Sequence, residues 1–448
     1  IITLILILCS LFLIQSRTVL LGLFFMSVSL IFFTFRSHLK VVLSSIVIAS
    51  TVTAILFIAT PQMFQQFINE VDQVIRKKDR IEHNRVIETD PRVSLYIKTI
   101  EMIKENLFLG VGPGNWKKEF PKYGLKNTIG QKGDKFAQRP HSDFLWFFSE
   151  GGLLSGICYI LMFVFLLREA LFFYLNIKDE KRYFFLVLFS TILGYVIISL
   201  FDFPSERPSH NLFLSIISGI IIGEKLKKRE SYNKTKKLVG VILMCLFSVN
   251  IVFANIRYKG DLHMTTALKY KSNNDWDKMI NELNNAYHLY LFDTDNTTTP
   301  LHWYYGLAYF NKGQVNIAFD YFQKAYSINP YHLHVINNLA TCYGINNDYV
   351  KAKELYEECI AISPRFEYAA LNLASIYAYE NRYEEALDIL LSVINFRTED
   401  ASDISNNYVK YFNLIFNNFI MNEVSLNDKN IILAEEKDIY FEQLKKIY

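Results

Sequence analysis

Runs of about twenty apolar residues recur through the first 256 of the 448 residues, and nothing else constrains the fold of this chain as strongly. A bilayer core takes roughly 20 mostly apolar residues per helix. With no water there to pair the backbone, a run of that length must close its hydrogen bonds within itself. The runs lie at roughly 1–15 (cut short), 18–35, 38–60, 145–167, 183–203, 209–223 (the shortest) and 238–256. They predict a polytopic bundle of membrane helices. Hydrophobic residues make up 51% of the chain and charged residues 20%, a mixture that joins a membrane part to a soluble part. The sequence starts at Ile1 inside an apolar run, which reads as a fragment or a trimmed chain. That run has no basic leader and more spans follow, so it is not a signal peptide.

Basic loops give the bundle a sidedness. Residues 224–237, EKLKKRESYNKTKK, carry seven Lys and Arg between two spans, which marks a cytoplasmic loop. Alternation puts Arg168, Lys178, Lys181 and Arg182 on the same side, with Arg36 and Lys40. Outside fall Arg17, a long loop at 61–144, the turn at 202–208 and everything after 257. The long loop is itself basic, which the rule tolerates because long loops translocate largely regardless of charge. The net charge of +3 is too small to imply a nucleic-acid partner.

From about 260 the composition becomes that of a soluble helical protein with a period of 34 residues. Gly306, Tyr309, Ala318, Phe322, Ala325 and Pro330 return as Ala340, Tyr343, Ala352, Tyr356, Cys359 and Pro364. They return again as Ala374, Tyr377, Ala386, Leu390 and Val393. A weaker copy at 260–293 carries Ala267, Tyr270, Leu283 and Ala286, and a polar insertion, DTDNTTT, separates it from the next. Small residues let two antiparallel helices approach and aromatics fill the gap between pairs: this is the tetratricopeptide pattern, stable by stacking on neighbours. The expected division is a membrane domain at 1–256 and a repeat domain at 257–448. Such arrays bind peptides or proteins, or brace another domain. No CxxC occurs among the five Cys, so neither zinc nor a redox pair is suggested. Cys342 and Cys359 read as packed thiols, with a disulfide as the alternative in an oxidising compartment.

The outside loop holds the residues that could do chemistry. Asp90-Pro91 is a helix start, with Asp as cap and Pro at the first helical position. Val93, Tyr96, Ile97, Ile100, Ile103 and Leu107 follow at helical spacing, predicting an amphipathic helix over 91–108 with Arg92 in its first turn. GVGPG at 110–114 then reads as a helix stop and turn. It follows a helix and lacks GK[ST], so it does not read as a phosphate loop. Arg17, Arg92 and His141 each have an ordinary reading alone: a snorkelling anchor, a solvated first-turn residue, an interfacial histidine. The topology puts all three on one side. Two guanidiniums can clamp a diphosphate, and an imidazole can accept a proton from a hydroxyl. Glu150 lies about nine residues into a membrane helix, as a functional carboxylate or as a hydrogen-bonding partner in helix packing. Arg139, Arg207 and His210 complete the expected substrate rim, with Asp202 and Glu206 beside them.

QSRTVLLGLFF (15–25), PRVSLYIKTIEMIKENLFLGVGPGNW (91–116) and HSDFLWFFSEGGLLSG (141–156) resemble the shared domain of the O-antigen ligase and polymerase family. Ser16-Arg17 matches the family's small outside turn. Arg92 with Gly110, Gly112 and Gly114 matches the opening of its large loop. His141-Ser142 with Glu150 matches the close. FDFPSERPSHNLF (201–213) looks like its short outer turn. The resemblance covers roughly 1–220 and departs at the front, where the family usually has about five more spans.

The resemblance implies an all-α, C-type glycosyltransferase-like membrane bundle, N-terminally incomplete, followed by a repeat solenoid. Its place would be the bacterial cytoplasmic (inner) membrane, with the loop and the repeats periplasmic. It implies an inverting glycosyltransferase whose donor is a glycan on undecaprenyl diphosphate. The acceptor is lipid A core, a protein or another glycan. Arg17 and Arg92 would hold the diphosphate and His141 would take the acceptor proton. No metal or cofactor is implied, because the arginines supply the charge; the DTD of Asp293 and Asp295 lies in the repeat insertion. A polymerase of the same family, or a non-catalytic membrane-anchored scaffold for envelope assembly, is the alternative. Membrane lipid and a protein held by the repeats are the remaining expected partners.

Overall fold

The computed structural model describes residues 17–35, 91–126, 128, 137–227, 234–288, 292–395 and 410–415. The runs expected at 1–15 and 38–60, and the first part of the long loop, lie outside the described residues. The architecture is all-α; extended pairing among the described residues is confined to isolated bridges beside the repeat insertion. Contacts divide the chain into two compact units, Ile1–Pro113 with Arg139–Tyr232, and Gly114–Gln138 with Asn233–Tyr448.

The first unit is a helix bundle. Its elements are α1 (Arg17–Phe35), α2 (Pro91–Glu105), α4 (Asp143–Asn176), α5 (Lys181–Phe201) and α6 (Pro208–Lys227). α4 and α5 are long and apolar enough to cross a membrane. α1 crosses α5 where glycines face each other: a Cβ on Gly22 would meet the Ile198 side chain at 2.7 Å, and one on Gly194 would lie 3.1 Å from the Gly22 carbonyl. Small residues permit that approach, and polar pairs then fix it. The Ser29 hydroxyl donates to Ser190 at 2.7 Å, and the Tyr174 hydroxyl donates to the Phe33 carbonyl at 2.5 Å. α4 runs past the expected end of its span at 167. Glu169 is buried there, and Arg168 and Lys225 each reach its carboxylate at 2.7 Å, so the helix continues through the charge.

α2 differs from its sequence reading in length. It ends at Glu105 and passes through hydrogen-bonded turns to Gly110. Leu95, Thr99 and Met102 form its buried stripe against α4. Val93, Ile97 and Ile100, from the apolar face that could lie on the membrane surface or on other helices, are exposed. Both sides of α2 are apolar, so spacing alone could not say which would pack.

The second unit is built from helix pairs. α7 (Lys234–Ser272) pairs with α8 (Trp276–Ala286), α9 (Leu301–Asn311) with α10 (Val315–Ile328), α11 (Leu333–Ile345) with α12 (Tyr349–Ile362), and α13 (Glu367–Tyr379) with α14 (Tyr383–Asn395). The repeat positions Ala318, Ala325, Ala340, Ala352, Cys359, Ala374, Ala386 and Leu390 are all fully buried. Gly306 is small because Phe322 leans on it: a Cβ there would meet the ring at 2.6 Å. α7 is one continuous helix through 256, so the last apolar run and the first repeat helix share an element. Residues 114–126, from the expected loop, also belong here, with α3 (Trp116–Glu119) and a 3-10 turn (Phe120–Tyr123). The insertion is a capping turn. Asp295 accepts from the backbone N–H of Thr297 at 2.7 Å and of Thr299 at 3.0 Å, and from the Tyr304 hydroxyl at 2.7 Å.

Cys342 and Cys359 are both free and buried. Burial pushes the Cys342 thiol up to about 12 and also raises the Cys359 thiol well above its ordinary value. A thiol is reactive as its thiolate. Maleimide at pH 7 is therefore expected to leave both unlabelled in the folded protein and to label both after denaturation, read by peptide mass spectrometry.

Candidate functional site

The site is assembled where α4 begins. Ser142 caps α4, its hydroxyl accepting from the Leu145 N–H at 3.4 Å. His141, one residue earlier, has φ 56°. That left-handed backbone is uncommon for a residue with a side chain, and it persists only where the surroundings hold it. Two hydrogen bonds do so: the Tyr96 hydroxyl of α2 donates to the His141 carbonyl at 3.0 Å, and the Asp143 N–H donates to the Asp202 carbonyl at 3.2 Å.

Asp143 ties α4 to the outer turn. It is fully buried. One carboxylate oxygen accepts from the Ser205 hydroxyl at 2.6 Å; the other accepts from the Ser205 N–H at 3.0 Å and the Tyr159 hydroxyl at 3.3 Å. The turn so fixed carries Asp202, Phe203, Glu206 and Arg207. The His141 ring meets Phe203 edge-on at 5.1 Å. Arg139 lies 4.8 Å above the Phe203 ring and pairs with Glu206. Arg207 approaches Asp202 at 3.7 Å.

Burial holds the His141 imidazole below the ordinary histidine value; the Arg92 charge pushes the same way, Asp202 opposes it, and Arg139 lowers it further. The ring is therefore the free base at neutral pH, able to accept a proton. Arg92, exposed in the first turn of α2, is thus electrically coupled to His141. Arg17 is the first residue of α1, and its neighbour Thr18 donates to the Asp202 carboxylate at 3.5 Å. The structure so brings His141, Arg92, Arg139 and Arg207 together and sets the start of the Arg17 helix beside Asp202. His210 lies at the upper end of an apolar groove of about 280 Å³ between α1, α5 and α6, lined by Gly22, Met26, Ile198 and Phe213.

Glu150 sits at a break in α4. Gly152 has φ 65° and ψ −164°, a conformation open to glycine. In an unbroken helix the Leu153 N–H would donate to the Ser149 carbonyl. Here Leu153 donates to the Leu107 carbonyl at 2.7 Å, Val111 donates to Ser149 at 2.9 Å, and Gly112 donates to the Glu150 carbonyl at 2.9 Å. The GVGPG turn is therefore a backbone clasp on α4. A Cβ on Gly152 would strike the Phe108 carbonyl, and one on Gly110 the Glu150 backbone.

Residues 2–160 match the O-antigen ligase family, and residues 302–332 and 345–405 match tetratricopeptide repeat families. The chain thus carries a region that matches an O-antigen ligase family, followed by tetratricopeptide repeats. The ligase match spans α1, the Arg92 helix, the clasp and the His141 cap. One curated relative, an uncharacterized protein ycf37 of Pyropia yezoensis, is 32% identical over 78 residues, 17% of this chain; the chain spans 44% of that relative's length. Similar solved structures include MamA (16% identical, 40% of this chain and 98% of that one, TM-score 0.29). Pseudomonas aeruginosa pilF is another (12% identical, 43% and 89%, TM-score 0.29).

Sequence reasoning passed over Asp143. An acid in a first helical turn ordinarily reads as a partner of the helix dipole, and its real partners lie at 159 and 205. Asp143→Ala leaves the Ser205 and Tyr159 donors unpaired in a buried place. It is expected to cost about 2–4 kcal/mol and to lower the unfolding midpoint in detergent. Gly152→Ala is expected to cost a similar amount, about 3 kcal/mol, by forcing the clasp apart; retention of the wild-type midpoint would remove the clasp as a structural element.

Proposed function

We propose that this protein transfers a glycan from undecaprenyl diphosphate to an acceptor hydroxyl or amide at the outer face of the bacterial cytoplasmic membrane. The observation that carries this reading is His141, held as a free base in a strained backbone beside Arg92 and Arg139, within a region that matches the O-antigen ligase family. The apolar groove between α1, α5 and α6 supports it, offering a path for part of a prenyl chain below a polar rim. The exposed Val93, Ile97, Ile100, Phe108 and Leu109 favour seating α2 and its turn at a bilayer surface.

In this reading the acceptor oxygen attacks the anomeric carbon from the face opposite the diphosphate. The new C–O bond forms as the bond to the diphosphate oxygen breaks. His141 takes the acceptor proton, and Arg17 and Arg92 neutralise the charge that grows on the leaving diphosphate. The anomeric centre inverts. Glu150, Arg139, Arg207 and His210 form the rim around the donor and acceptor. The protein is multi-pass, with the repeats on the same outer side as the loop.

His141→Ala and Arg92→Ala are each expected to reduce transfer by about 100-fold or more, read as surface glycan laddering in a deletion strain complemented with each variant. Wild-type laddering from both variants would leave the scaffold role in place of the enzyme. In the deletion strain, long unligated chains on the lipid carrier mark a ligase and single units mark a polymerase.

The pH profile tests the base directly. Because the folded pKa of His141 lies below 6.5, transfer should be flat through neutrality and fall only below pH 6.5. Removing the Arg92 charge removes one cause of the depression, so the residual activity of Arg92→Gln should begin to fall at a higher pH than that of the wild type. An unmoved inflection in that variant would separate the two residues. With the charge supplied by arginines, transfer by purified protein is also expected to persist in excess EDTA; loss of transfer there, restored by a divalent ion, would transfer that role to a metal.

A further inference from the structure

Within the repeat unit, α10, α11 and α12 enclose a cavity of about 470 Å³. Leu339, which is buried, and Leu355 line it together with the rings of Tyr326 and Tyr343. The 34-residue period explains why it is open. One repeat earlier, Tyr305, Tyr309 and Tyr321 hold the places of Leu339, Tyr343 and Leu355. There Tyr321 stacks on Tyr305 at 5.1 Å and on Tyr309 at 5.4 Å, so rings occupy the corresponding space. Two leucines where that repeat has two tyrosines leave a cavity.

The lining is also acidic. Glu358 stands where the earlier repeat has Lys324. It is half-buried, and among the described residues its carboxylate is met by the Tyr326 hydroxyl, which donates at 3.3 Å. Burial raises the Glu358 carboxyl above its ordinary value, against that hydrogen bond. Glu354 adds a second, exposed carboxylate. Lys351 is the one cation of the lining, its Nζ 5.2 Å from the centre of the Tyr343 ring. A carboxylate drawn out of water without an opposite charge is costly, and an entering cation offsets that cost. The tyrosine one repeat further on shows which cation such a place accepts. The Arg382 guanidinium lies 4.5 Å from the centre of the Tyr377 ring, donating to Glu385 at 2.6 Å and 3.0 Å and to Glu380 at 3.1 Å.

We propose that the cavity between α10, α11 and α12 binds an arginine side chain of a partner polypeptide, its guanidinium against the tyrosine rings and donating to Glu358. Arginine suits the place better than lysine, because its planar head stacks on an aromatic face and forks onto a carboxylate. Lys351 is a rival cation that limits the affinity. The site lies wholly within the repeat unit and does not depend on the glycan-transfer reading.

The test uses the full-length protein in detergent and a library of short peptides with random residues about a fixed central Arg. Selected peptides are labelled and titrated by fluorescence anisotropy. Replacing the central Arg with citrulline keeps its shape and removes its charge; this should weaken binding by about tenfold or more. Glu358→Gln should do the same, the scale of one charge-assisted hydrogen bond. Lys351→Ala should tighten binding severalfold. Leu339→Tyr/Leu355→Tyr rebuilds the ring stack of the earlier repeat, and should abolish binding while the unfolding midpoint of the repeats stays at or above its wild-type value. The arginine site is overturned if no Arg peptide is selected above a library with a central Glu, or if citrulline or Glu358→Gln leaves the affinity unchanged. It is overturned equally if Lys351→Ala weakens binding, which would mark an anionic ligand. Should the cavity-filling variant lower the midpoint, the Glu358 and Lys351 variants decide alone.

Discussion

The backbone exchange between residues 107–112 and 149–153 is the interaction on which the site depends. Breaking α4 at Gly152 frees the Leu153 N–H and the Ser149 carbonyl, and each such group left unpaired in an apolar setting costs several kcal/mol. The turn after α2 supplies a carbonyl from Leu107 and an N–H from Val111, so both ends of the broken bond are met. Neither segment could hold its shape without the other. The result fixes α2, and with it Arg92 and Tyr96, against the helix that His141 precedes.

A second constraint works at the end of the same helix. Asp143 gathers Ser205 and Tyr159 on one buried carboxylate, which locks the outer turn to the start of α4. The consequences reach the chemistry. Phe203 lies edge-on to the imidazole and carries Arg139 on its own ring, and partial burial with the Arg92 and Arg139 charges holds the imidazole below the ordinary histidine value. Were His141 solvated, its basicity would be ordinary and its direction unset.

The apolar helices and the repeats were legible because their signals are local and periodic. An apolar run must be a helix wherever its neighbours lie, and a 34-residue period writes its buried positions into sequence order; Ala318, Ala352 and Ala386 are buried as that period requires. Arg92 and His141 were singled out together by an expected shared side of the membrane, and the packing of α2 on α4 sets them near one another. The buried face of α2 was not, because both of its faces carry apolar residues and the choice belongs to the partner. Asp143 was not, because its partners are 16 and 62 residues away. The glycines of GVGPG read correctly as a turn, yet their steric reason, the close approach to Glu150 and Gly152, lies in another helix.

The sequence by itself determined that this chain is helical, that part of it is apolar enough to suit a bilayer and that part stacks as repeats. Those follow from hydropathy and period, which act over a few turns of chain. Tertiary structure decided which apolar stripe of α2 packs, where α4 breaks, and that residues 114–126 lie with the repeats. Each of these is a pairing of backbone or side-chain groups far apart in sequence, settled by which donors and acceptors can be satisfied once the helices have met.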